Sequence, residues 1–211
     1  MPESTPRGSS FGARFARMGP RMDARGAAEH RRRLLAGAHG VVVEIGAGYG
    51  ATFPFYPAAV TGVLALEPDP TLRKLAQAAA GKAPVPVTVK DGVAESLPAA
   101  DGSVDVVVSS LVLCSVPDPA AALAEVVRVL RPGGLLLFYE HVRSAHRVVA
   151  AVEDLAAPLW SRMAGGCHPN RDTAALIAGA GLTVQDLERF GYSVLPGNPR
   201  LAHVLGAASK P

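Results

Sequence analysis

Two cysteines, Cys114 and Cys167, are too few for a disulfide framework and suit a reducing compartment, with the cytoplasm as the expected location. No apolar run approaches the roughly 20 residues of a membrane helix, so no spanning segment is expected. Aromatic residues make up only 5% of the chain, which leaves few rings to stack bases and argues against a nucleic-acid partner. Acidic residues are sparse at the start, where eight arginines in the first 33 residues face only Glu3, Asp23 and Glu29; beyond that segment the balance turns acidic. This Pro-, Gly- and Arg-rich beginning has no apolar core of the secretory kind. Residues 1–20 are therefore expected to form a flexible basic arm, able at most to touch an anionic membrane surface peripherally. With 211 residues and neither repeat nor linker in the middle, residues 21–211 are read as one domain.

The densest signal is Val41 to Gly50, VVVEIGAGYG, a β-branched strand running into a glycine turn. A helix is expected before it, from about Arg21 to Leu35. After it, Val60 to Leu66, Val85 to Val89, Val104 to Ser110 and Leu135 to Tyr139 read as strands. Between them Asp69-Pro70 and Asp118-Pro119 open helices in the manner of an N-cap followed by proline. Helices over Ala145 to Met163 and Thr173 to Ala180, then strands over Leu182 to Phe190 and Ala202 to Ala208, complete the chain. Strand and helix alternate, which predicts an α/β, doubly wound, mostly parallel sheet with helices on both faces and a ligand at the carboxyl ends of its strands.

Gly46, Gly48 and Ala51 satisfy G-x-G-x-x-G/A, and Glu67 follows at about the distance of a ribose-binding carboxylate. NAD, FAD and S-adenosylmethionine all present such a ribose. Glu44, two residues before Gly46, would repel a pyrophosphate and suit an ammonium group. The loop Gly92-Val93-Ala94-Glu95 is placed to border an adenine ring. Both features favour the sulfonium cofactor.

These stretches resemble those of class I S-adenosylmethionine-dependent methyltransferases: EIGAGYG, LEPDP, GVAESLP and VLRPGGLLLFYEH occur in that order. Within that class SLVLCSVPDP, FYEHV and GGCHPNRDT look like bacterial relatives of the animal thiol methyltransferases. The resemblance implies a seven-stranded Rossmann-like sheet, S-adenosyl-L-methionine as cofactor and S-adenosyl-L-homocysteine as product. It implies a small-molecule acceptor, an alkyl thiol first, with a phospholipid amine or a quinone-like compound as the alternative. A nicotinamide oxidoreductase and a non-catalytic partner subunit are the readings from other classes. The animal enzymes' membrane anchor is not carried over. The cofactor is expected on Glu44, Gly46, Ala47, Gly48, Glu67, Pro68, Gly92, Val93, Ala94, Glu95, Ser110 and Leu111. Val93 stands where many relatives have an acidic residue. Tyr49, Cys114, Glu140 and Arg171 are expected near the acceptor, Cys114 chiefly as packing, with His141 and His168 as the catalytic candidates. Cys167-His168 lacks a second ligand pair at metal spacing, so no metal is expected.

Overall fold

The computed structural model describes residues 8–193 and 200–211. Seven strands form one sheet: β1 (Gly40–Ile45), β2 (Val60–Leu66), β3 (Val87–Lys90), β4 (Val104–Ser110), β5 (Leu130–His141), β6 (Thr183–Tyr192) and β7 (Leu201–Ser209), in the order β3-β2-β1-β4-β5-β7-β6. The first five pair in parallel, while β7 runs antiparallel to both β5 and β6. Helices cover both faces, which is why the inner strands read as nearly continuous apolar runs. On β1, Val43 and Ile45 enter one buried cluster and Val42 the other.

The helices are α1 (Gly8–Met22), α2 (Ala28–Leu34), α3 (Pro70–Ala80), α4 (Pro119–Val129), α5 (Arg147–Met163) and α6 (Thr173–Gly179). Asp69 caps α3, accepting from the amides of Thr71 and Leu72 at 2.7 and 3.1 Å. Asp118 caps α4 through the amides of Ala120 and Ala121. Both starts are the ones expected from the Asp-Pro pairs. The fifth strand is longer than expected, because α4 ends at Val129 and Pro132-Gly133-Gly134 lie within the strand.

The N-terminal segment departs from expectation. Residues 1–7 lie outside the described residues, but from Gly8 the chain is helical instead of a flexible arm. The single helix expected from Arg21 to Leu35 is split: Gly26, at φ 113°, breaks the path between α1 and α2. Phe11, Phe15, Met18 and Met22 recur at helical spacing on α1 and turn to the sheet's ligand rim, while Arg14, Arg17 and Arg21 stay exposed.

Candidate functional site

The carboxyl ends of β1, β2, β4 and β5, with the loop after β3, open on one cavity of about 580 Å³, a size suited to a cofactor with a small acceptor. At one end stand Gly46, Gly48, Glu67, Pro68 and the loop Gly92 to Glu95; Ser110 and Leu111 follow, then His141 and Cys167. Phe11, Phe15, Met18 and Met22 of α1, with Trp160 and Met163 of α5, form an apolar cover. The two helices meet there: Arg14 Nη2 donates to the Met163 carbonyl at 3.2 Å.

Glu67 is 5% exposed and its carboxylate faces this cavity. Oε2 accepts from the Gly48 amide at 2.7 Å and Oε1 from the Asp69 amide at 2.9 Å. Burial raises its pKa above the usual carboxylate value, against the pull of those two amides. The glycine turn takes left-handed backbone at Gly46 and Gly48, φ 60° and 59°. At Gly46 the space is also closed by protein, since a Cβ would lie 2.5 Å from Val112 Cγ2.

Glu44 does not reach the cavity, contrary to the expected ammonium contact. Strand alternation turns its side chain into the fold, where Thr52 Oγ1 and the Tyr56 hydroxyl donate to it at 2.5 and 2.7 Å. Burial pushes its pKa up to about 7. Ala47 is also turned inward; its amide donates to the Leu66 carbonyl. Tyr49 lies behind the cover rather than at the acceptor, edge-on to Phe15 with ring centroids 5.5 Å apart.

Glu140 and Arg171 are likewise corrected, from acceptor contacts to supports of the loop after β4. The Glu140 carboxylate is fully buried and accepts from Ser109 Oγ and from the amides of Val112, Leu113 and Cys114. Arg171 Nη1 donates to the carbonyls of Leu113 and Val116 at 2.6 and 3.0 Å. Just before the clamped residues, Leu111 is held at φ 61°, a strained value for a bulky residue, with its amide donating to the Tyr139 carbonyl.

His168 is not on the cavity wall either. Its amide donates to the Cys114 carbonyl and its own carbonyl accepts from the Arg171 amide, a turn that presents Cys167 to the cavity instead. Cys114 is sealed behind that wall, with its Sγ 3.7 Å from Cys167 Sγ. His141 Nδ1 lies 3.6 Å from the first sulfur and 3.2 Å from the second. Within this pair the Cys167 thiol is held low, by its hydrogen bond to Cys114 and then by His141, and the Cys114 thiol is pushed well up.

His203 and Tyr192 line the cavity without having been singled out in the sequence. The His203 ring lies tilted against His141, with centroids 4.4 Å apart, and burial lowers its pKa to about 3. Only the antiparallel pairing that sets His203 opposite His141 reveals it. The four apolar residues of α1 did carry a signal, their helical spacing, obscured by the glycines, proline and arginines around them.

Residues 43–138 match a family described as "Methyltransferase domain". The human thiol S-methyltransferase TMT1B is 38% identical over 185 residues, covering 83% of this chain and 74% of the relative. In fold, the YcgJ protein of Bacillus subtilis superposes with a TM-score of 0.71 at 19% identity, covering 86% of this chain and 98% of that one. A SAM-dependent methyltransferase from Thermotoga maritima gives 0.69 at 20% identity, covering 96% and 97%.

Proposed function

The chain belongs to the S-adenosylmethionine-dependent methyltransferase family that includes the thiol S-methyltransferase TMT1B, and from that membership we propose that it methylates an alkyl thiol held under the apolar cover. The observation that carries this reading is a continuous cavity with Glu67 and Gly48 at one end and Cys167, His141 and apolar side chains at the other. The donor's residues fit their task. Glu67 is a buried carboxylate aimed into the cavity, suited to accept from two ribose hydroxyls; Gly46 and Gly48 give a turn without side chains for the methionine moiety. Gly92, Val93, Ala94, Glu95, Ser110 and Leu111 all line the cavity; on this reading the first four border the adenine and the last two the junction of donor and acceptor.

Bound S-adenosylmethionine supplies an electrophilic methyl group on a sulfonium. The chain's own contribution is to hold the acceptor in line with that methyl and to exclude water, which the rigid loop after β4 and the cover of α1 and α5 both serve. A cysteine thiol, with a pKa near 8.5, is only about a few per cent thiolate at neutral pH, and an unactivated alkyl thiol is a weaker acid still, so the site must also favour its deprotonated form. The apolar lining selects thiols with alkyl substituents. The test is release of S-adenosylhomocysteine with thiols of increasing alkyl length: kcat/KM should rise with length. Cofactor binding without turnover of any thiol would refute the reading.

A second feature bears on how such an acceptor arrives. Leu155, Leu159 and Met163 lie on one side of α5 and are exposed, and the exposed Arg14 of α1 donates to the Met163 carbonyl. That pairing of apolar and basic side chains supports a peripheral contact with an anionic membrane surface. No helix among the described residues is long and apolar enough to cross a membrane.

A further inference from the structure

Cys114, His141 and Cys167 come from the loop after β4, the end of β5 and the loop after α5. Their ligand atoms stand 3.7 Å apart between the sulfurs, and 3.6 and 3.2 Å from each sulfur to Nδ1. Bonds of ~2.3 Å to sulfur and ~2.0–2.1 Å to nitrogen, at tetrahedral angles, would set two sulfurs about 3.8 Å apart and each about 3.5 Å from the nitrogen. The three atoms therefore already stand near the corners of one face of a zinc tetrahedron. Among the described residues no other His, Cys or carboxylate joins them.

The backbone of each is fixed. The Cys114 amide donates to Glu140 and its carbonyl accepts from His168; the His141 carbonyl accepts from Thr173 Oγ1. A Cβ at Gly166 would lie 3.0 Å from the Ser115 carbonyl, so glycine is what lets the Cys167 loop close on the loop after β4. Cys114 is sealed inside while His141 and Cys167 line the cavity, which leaves the fourth corner facing the acceptor end.

We propose that Cys114, His141 and Cys167 bind a zinc ion whose fourth position opens on the cavity and takes the acceptor thiol as its thiolate. This rests on the reading that the acceptor is a thiol. Two thiolates and a neutral imidazole balance the charge of the ion, so the loaded site is neutral where it is buried. On coordination the acceptor loses its S–H proton to solvent. Its sulfur pair forms the new bond to the methyl carbon, and the pair of the breaking carbon–sulfur bond stays on the donor's sulfur, giving two neutral thioethers. A thioether is a far weaker zinc ligand than a thiolate, so the product leaves.

The test strips the whole protein with a chelator and reloads it with cobalt(II), which takes the same ligands and reports them by absorption. One cobalt per chain with a thiolate-to-metal charge-transfer band is expected. The band should be lost in Cys167→Ser with unchanged circular dichroism. Adding ethanethiol to the unmodified protein should shift the visible cobalt bands, a readout that does not depend on the variant folding. A missing charge-transfer band, visible bands indifferent to ethanethiol, or a Cys114–Cys167 disulfide in the freshly isolated protein would overturn the site. Methyl thioether formation is followed in parallel. It should be slower by about tenfold or more in metal-free protein, where the thiol is mostly protonated. Undiminished transfer without metal overturns the zinc site and leaves the thiol reading intact. No thioether from zinc-loaded protein whose cobalt form shows both signatures overturns the thiol reading alone.

Discussion

Glu67 and Glu44 are both buried carboxylates at strand ends, and their different surroundings give them different roles. Glu67 lines the cavity with backbone amides on both oxygens, whereas Glu44 is enclosed by Thr52 and Tyr56. Charge-assisted bonds to ribose hydroxyls contribute roughly 1.5–3 kcal/mol each, so Glu67→Ala should abolish detectable S-adenosylmethionine binding by titration calorimetry. Glu44 should instead leave a mark on stability. Its pKa rises from 4.5 to about 7 on folding, so the folded state binds the extra proton. The resulting stabilisation is fully present below about pH 4.5 and lost as pH rises through about 7, on the order of 3 kcal/mol in all. Denaturant melts of wild type and Glu44→Gln across that window should differ in slope, with the wild type losing stability relative to the variant as pH rises. The sequence carried the acidic residue before the glycine turn but not its direction. Both faces of β1 are covered, so no polar side of the strand marked which way Glu44 turns.

The loop after β4 shows how an element is held from two sides. Glu140 collects three of its amides and Arg171 two of its carbonyls, and the strained Leu111 persists at its start. Removing the carboxylate leaves buried donors without partners, so Glu140→Ala should cost on the order of 3 kcal/mol or more in chemical denaturation. Ser109→Ala, which removes one neutral donor, should cost about 1 kcal/mol. Sequence order placed Glu140 and Arg171 near the functional rim, yet their partners are backbone groups far away along the chain, which residue type does not disclose. Helix α1 illustrates the opposite case. Its glycines and Pro20 make it a poor helix by propensity, and burial of Phe11, Phe15, Met18 and Met22 over the cavity overrides that. Phe15→Ala should raise KM for long alkyl thiols more than for short ones in steady-state assays, because it opens the apolar cover; as Phe15 also faces Gly48, KM for S-adenosylmethionine should rise too, but equally for every thiol.

The strand order β3-β2-β1-β4-β5-β7-β6 gathers the ligand rim from segments spread between Gly46 and His203. The alternation of strands and helices made the parallel part of this sheet legible, since each crossover brings the chain back to start the next strand from the same end of the sheet. The antiparallel insertion of β7 between β5 and β6 was not legible, because it depends on pairing rather than pattern, and with it went His203; the convergence of Cys114, His141 and Cys167 was hidden for another reason, the folding of the loop after α5 onto the loop after β4. The exposed side of α5 beside the basic face of α1 predicts co-sedimentation with vesicles of anionic phospholipid, weakened by salt and by Leu159→Glu, and little binding to neutral vesicles. Sulfur is the proposed destination of the methyl group. The most direct measurement gives the protein trideuteromethyl-labelled S-adenosylmethionine with an equimolar mixture of an alkyl thiol, an alkyl amine and a hydroquinone, and follows the label by mass spectrometry. Label in the methyl thioether is the predicted result; label on nitrogen, oxygen or ring carbon, with the thiol untouched, would contradict it.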